Sequence, residues 1–289
     1  MSRRQAPRAF IGISGYVYPR WRGRFYPADL PQRAWLTHAS RHFNSIELNG
    51  TFYSLKSPEV YRRWARETPE EFVFAIKGSR FITHNKKLAR VDSALANFFA
   101  SGILDLGHKT GPFLWQLPAT YPFDRARVEA FLHLLPAGST AAGRLASAHD
   151  PGILPDATVS SPERIRYRHA LEPRHPTYFS DTCYDLLRDH HVALVIADTA
   201  GKFPVAYELT APFVYVRLHG SEALYSSRYS DDELDHWADR MAAWSSGQAS
   251  HRDLYVYFDN DAQGHAPFDA LRLAERLQAR GISTGYSDD

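Results

Sequence analysis

A single cysteine, Cys183, among 289 residues excludes an intrachain disulfide and any cysteine-rich metal site. It falls in a helical pattern, where a buried, reduced thiol is expected. Excess charge is also absent. Lysine and arginine number 34 against 32 aspartates and glutamates, a net charge of +2. No global field therefore steers the chain toward nucleic acid or acidic membranes, and any electrostatic recognition has to be local. No apolar run approaches the ~18–20 residues that span a bilayer, so no membrane segment is expected. Ser2-Arg3-Arg4 has no apolar stretch behind it, which argues against an export signal. Residues 1–8 read as a flexible basic arm, and a cytoplasmic location is expected. There is no glycine-rich phosphate loop, and no internal repeat stands out.

What is present is a large apolar supply, 44% of the chain, arranged in short runs that each close on a polar residue. Ile11–Ser14 ends on Ser14, and Ser45–Asn49 carries Glu47 and Asn49. Phe72–Lys77 ends on Lys77, and Phe113–Leu117 carries Gln116. Ala170–Arg174 gives Glu172 and Arg174, and Val192–Asp198 gives Asp198. Val214–His219 gives Arg217 and His219, and Leu254–Asp259 gives Asp259, followed by Asn260. Side chains alternate faces along a strand, so the polar members separate from the aliphatic set. Helix-period segments lie between nearly all of these runs: 35–43, 58–67, 92–106, 124–135, 181–191, 230–244 and 267–280. Eight βα alternations in this length predict an α/β fold, a single (β/α)8 TIM-type barrel spanning residues 1–289. An open doubly wound sheet is the runner-up. Residues 137–163, rich in Ala, Gly, Pro and Ser, read as an irregular excursion.

In such barrels the strand C-termini carry the site. Glu47 and Glu172 are the candidate catalytic carboxylates, and His219 is the candidate acid. Lys77, Arg174 and Arg217 suit a phosphate or carboxylate clamp. Asn49, His84, Gln116, Asp198, Asp259 and Asn260 complete the candidate binding set. In the loop after the first strand Tyr16, Tyr18, Trp21, Phe25 and Tyr26 interleave with Arg20, Arg22 and Arg24. Tyr16 and Trp21 are assigned to substrate by stacking; the structural alternative is a lid packed on the barrel rim. A metal could be assembled from Glu47, Glu172, His219 and Asp259. Without a His-x-x-x-His or a dense carboxylate loop, a divalent metal is not favoured, and the cofactor is left unassigned.

The strand-end residues also form motifs. Gly12-Ile-Ser-Gly-Tyr16 with Trp21 and Phe25-Tyr-Pro27, Glu47-Leu-Asn49, Ile82-Thr-His84, Trp115-Gln-Leu-Pro118, Arg168-His-Ala-Leu-Glu172, Arg217-Leu-His-Gly220 and Tyr257-Phe-Asp-Asn260 resemble the YecE-like family, domain of unknown function 72. The resemblance spans nearly the whole chain. It implies a TIM-type barrel and names no reaction. Asp259 departs from the family pattern, which usually has Asn there. At the level of fold the family is similar to endonuclease IV-like barrels, but their histidine-rich multi-zinc cluster has no counterpart in this sequence. The first functional expectation is a hydrolase or lyase acting on a phosphate-bearing substrate, including nucleic acid. A non-catalytic nucleic-acid binder and a carbohydrate-active barrel using the Glu pair are the alternatives. A small-molecule or nucleic-acid ligand is expected, and the sequence leaves open the oligomeric state and whether the chain is an enzyme.

Overall fold

The computed structural model describes residues 7–246 and 252–285. Its strands are β1 (Ala9–Ser14), β2 (Ser45–Leu48), β3 (Val73–Lys77), β4 (Thr110–Gln116), β5 (His169–Glu172), β6 (Ala193–Leu194), β7 (Ile196–Asp198), β8 (Phe213–Leu218) and β9 (Asp253–Phe258). Its α-helices are α1 (Trp35–Ala39), α2 (Gly50–Tyr53), α3 (Pro58–Arg66), α4 (Asp92–Ala100), α5 (Arg125–Leu134), α6 (Ser139–Ala146), α7 (Asp181–Asp189), α8 (Asp231–Ser245) and α9 (Ala266–Ala279). The fold is an α/β barrel of the TIM type. The chain groups into two compact units, Met1–Ile46 with Ala193–Asp289, and Glu47–Val192.

In the first unit β1 pairs with β9, β9 with β8, and β8 with β7, all in parallel. The strands are β-branched and aromatic, and β1 and β8 are buried along their whole length. Helix α9 packs on β1 and β9, and α8 lies against α9. Helix α8 starts on a full capping box: Ser230 accepts from the Glu233 amide, and Glu233 accepts from the Ser230 amide. Gly12 is required in β1, because a Cβ there would lie 1.8 Å from the Ser45 carbonyl oxygen.

In the second unit β3, β4 and β5 pair in parallel, with Lys77 opposite Leu114 and Gln116 opposite Glu172. Gly78, just past β3, lets the Trp115 ring approach; a Cβ would meet it at 2.3 Å. Helix α5 is capped by Asp124, which accepts from the Arg127 amide.

Several boundaries differ from the expectation. The run Val192–Asp198 holds two short strands, β6 and β7, broken at Val195, so nine strands are described where eight were expected. The segment 92–106 does not stay helical. It stops at Ala100, turns at Gly102 with φ +116°, and continues as a 3-10 stretch over Ile103–Lys109. A Cβ on Gly102 would lie 2.5 Å from the Pro58 Cα, so close packing and backbone geometry both demand glycine. The stretch 137–163 is not irregular throughout, because it contains α6. That helix buries Ser139, Ala142, Gly143 and Ala146 and packs against α4. Small residues make the contact, so no large apolar period announced it. Of the expected basic arm, residues 1–6 lie outside the described residues. Arg8 is held, bridging to Ser283 with its guanidinium 5.1 Å from the Phe10 ring centre. Cys183 is buried and its thiol is pushed up to about 12, which makes it unreactive. Among the described residues no helix is long and apolar enough to cross a membrane.

Candidate functional site

The expected site residues are divided between the two units. In the first unit the parallel register aligns the ends of β7, β8 and β9, with Asp198 opposite Leu218 and Leu218 opposite Phe258. Arg217 is fully buried at the end of β8. Its Nη2 donates to Ser14 Oγ at 3.0 Å and to Asp259 Oδ2 at 3.0 Å, and its Nη1 lies 3.2 Å from His219 Nε2. A guanidinium only donates, so His219 Nε2 is the acceptor and the ring proton sits on Nδ1. Nδ1 in turn lies 2.9 Å from Asp259 Oδ2, but off the direction of a good hydrogen bond, so that contact is chiefly electrostatic. Ser14, Arg217, His219 and Asp259 thus form one buried polar knot, with His219 placed as a positioning partner of Arg217.

Asp198 is half-buried beside this knot. Its Oδ2 accepts from Tyr229 Oη at 2.9 Å, and burial holds its carboxyl above the usual value, with the Tyr229 bond opposing. Tyr229 Oη accepts from the Gly220 amide at 3.0 Å. Asn260 is fully buried and donates to Asp269 Oδ2 and to the Ser227 carbonyl, both at 2.9 Å. Asp269 was not among the expected site residues. Asp269 is fully buried and also accepts from the Tyr229 amide and from Arg272. One signal was legible, since Asp269 falls on the face of α9 that carries Ala266, Ala270 and Leu273. Asp198 and Tyr229 also line a cleft of about 230 Å³, whose walls include Tyr207, Trp237, His236 and Arg240.

The aromatic loop packs as a lid. Trp21 and Tyr26 are each 1% exposed. Trp21 packs on Tyr18 with ring centres 4.4 Å apart and planes tilted by 32°, and it donates its Nε1–H to the Asp261 carbonyl. Tyr16 is half-buried, and its carbonyl accepts from Tyr26 Oη at 2.7 Å. Arg20 donates to the Ala262 carbonyl, Arg24 to that of Gln263, and Arg22 lies over the Trp35 ring. Burial, then the Asp259 charge, raises the Asp261 carboxyl to about 6.

In the second unit Glu172 is 1% exposed at the end of β5. Its Oε1 accepts from Gln116 Nε2 at 2.8 Å and from Arg174 Nε at 3.1 Å, with Arg174 Nη2 also 3.1 Å away. Register explains the first contact, because Gln116 and Glu172 are direct partners on β4 and β5. Phe52, on α2, joins two more members. Lys77 Nζ lies 4.7 Å from its ring centre, and the His84 ring meets its edge at 5.1 Å. Thr51 Oγ1 fixes the end of β3 by donating to the Lys77 carbonyl. Burial lowers the His84 imidazole to about 4, and Lys77, Arg174 and Arg80 push the same way, with Glu172 opposing. Glu47 is fully buried on β2, and Asn49 is half-buried at the start of α2.

A family model described as "Protein of unknown function DUF72" matches residues 10–287. The UPF0759 protein YecE of Escherichia coli K12 is 25% identical over 279 residues, 88% of each chain. The UPF0759 protein YunF of Bacillus subtilis is 24% identical over 297 residues, covering 93% of this chain and 94% of that protein. The crystal structure of a DUF72 family protein from Thermotoga maritima superposes with a TM-score of 0.73 at 24% identity, covering 94% of this chain and 99% of that one.

Proposed function

The chain belongs to the DUF72 family, and we propose, from the Glu47–Val192 unit, that it is a hydrolase or lyase acting on a phosphate-bearing substrate. The observation that carries this reading is the cationic setting of His84. Burial first, and then Lys77, Arg174 and Arg80, keep this half-buried imidazole uncharged. These cations outweigh the opposing Glu172 carboxylate at His84, and a phosphate group suits such a setting. Lys77 and Arg174 hold the phosphate. Glu172, oriented by Gln116 and Arg174, accepts the proton of the attacking water or of the substrate, and Glu47 is the second carboxylate for that role. His84 enters neutral. The charge of the bound phosphate raises its proton affinity, so it protonates as substrate binds and then donates to the leaving oxygen. His219 receives no proton-transfer role, because both ring nitrogens face partners in the other cluster.

Two measurements test the reading. Titration of the His84 ring by NMR is expected to give a pKa of about 4 in the free protein; saturating inorganic phosphate is expected to raise it, and Lys77→Ala to abolish that rise. An unmoved His84 removes the anion site. Assay against phosphomonoesters, phosphodiesters and abasic or nicked DNA, with divalent metals supplied, is expected to give turnover that Glu172→Gln lowers ~100-fold or more. Phosphate binding without any turnover would leave a binder and sink the enzyme reading.

A further inference from the structure

A second chemically distinct cluster lies in the Glu47–Val192 unit, away from the strand ends. Helix α5 carries Glu129 and His133 four residues apart, so both project from one face. His190 caps the C-terminus of α7. The His133 and His190 rings meet edge-on, with centres 4.7 Å apart and planes at 75°. One ligand atom from each of Glu129, His133 and His190 lies within 4.8 Å of the other two. Two imidazole nitrogens and a carboxylate oxygen form the donor set of three-ligand zinc sites. Bonds of about 2.0–2.1 Å place tetrahedral donors roughly 3.3 Å apart, so a modest rotation of the exposed His133 ring closes the site.

We propose that Glu129, His133 and His190 bind a zinc(II) ion that clips α5 to α7, with water completing the coordination. One further feature favours a cation there. Helix α5 ends at Leu134 and α7 at Asp189, so the negative ends of both helix dipoles lie within a turn of His133 and His190. The competing contact is weak: Arg125 Nε stands 3.9 Å from Glu129 Oε2, and both side chains are solvent-accessible. Helices of βα units run back from the strand ends, so this site lies at the opposite end of its unit from Glu172 and Gln116. Its role is therefore structural and separate from the phosphate reading.

Calorimetric titration of the whole chain with zinc chloride tests the site. One zinc per chain is expected for the native protein, with affinity at least 10-fold weaker in His133→Asn and in the His133→Asn/His190→Asn double variant. Zinc should raise the melting temperature of the native protein and leave that of the double variant unmoved. Should the double variant fold poorly, Glu129→Gln and the visible spectrum of the cobalt(II)-loaded native protein decide instead. A four-coordinate cobalt band in the native protein, weakened in Glu129→Gln, supports the site; its absence overturns it. Equal zinc affinity and equal melting shifts in native and double-variant proteins would also overturn it. The phosphate-induced shift of His84 should be the same in the double variant and the native protein, which separates failure here from failure of the phosphate reading.

Discussion

Arg217 is the residue on which the first cluster depends. It is 0% exposed and bonds Ser14 and Asp259 while holding His219 through Nε2. Removing one partner of a buried pair leaves the other charge without compensation, and that penalty exceeds the net worth of the pair. Arg217→Ala should therefore destabilise the protein by ~3 kcal/mol or more. Asp259→Asn, which keeps an oxygen for Arg217 and sits at a site with 14% side-chain exposure, should cost much less. Urea unfolding midpoints of the two variants check the ordering, and equal losses would contradict it. The positions of these residues were legible in the sequence, because a charged side chain closing an apolar run stands out. Their pairings were not. Whether His219 offers a free nitrogen or spends it on Arg217 depends on strand register and rotamer, which one sequence does not encode locally. Trp21 illustrates the same limit. An aromatic among arginines suits a stacking platform or a packed lid equally well, and only its 1% exposure and its bond to Asp261 show the packing.

At the scale of elements, legibility tracked the size of the side chains making each contact. Helices α3, α5, α8 and α9 announce themselves through large apolar residues and through Pro58, Asp124, Ser230 and Pro267 near their starts. Helix α6 does not, since its buried face is Ser139, Ala142, Gly143 and Ala146. Close approach of backbones also sets the cost of substitution in β1. A Cβ at Gly12 would lie 1.8 Å from the Ser45 carbonyl oxygen, which is main chain and cannot rotate aside. Gly23 has φ +77° and open space around its Cβ position. Gly12→Ala should thus cost ~3 kcal/mol or more from overpacking, and Gly23→Ala only ~1 kcal/mol from the left-handed backbone. Denaturant midpoints for the two variants measure the difference; a Gly12→Ala protein as stable as Gly23→Ala would refute the close approach.

At the scale of the whole molecule, the buried titrating groups set the acid limit of stability. His84 and His169 are both held near 4, chiefly by burial. His169 is locked neutral: Nδ1 accepts from Trp115 Nε1, and Nε2–H donates to the Pro136 carbonyl. A histidine whose folded pKa lies below its unfolded value of about 6.5 takes its proton first in the unfolded chain. Each therefore contributes stability that is present above about pH 6.5 and lost as pH falls toward 4. Asp261 acts in the opposite sense. Its folded value of about 6 exceeds the ordinary aspartate range, so the folded state binds the proton first. It stabilises the fold below about pH 4, and that contribution is lost as pH rises through 6. His38 and His190 shift in the same sense as His84 and His169, and Asp198 and His108 act with Asp261; four histidines oppose three groups, so the melting temperature should fall between pH 6.5 and 4. Asp261→Asn removes a compensating group while leaving a polar side chain near Tyr18. The variant should match or exceed the native melting temperature at pH 7 and fall more steeply toward pH 4. Melting curves at half-unit pH steps from 4 to 7.5 decide the matter. A native melting temperature that stays level or rises on acidification would mean that the carboxylates, and not the buried histidines, control the acid stability of this fold.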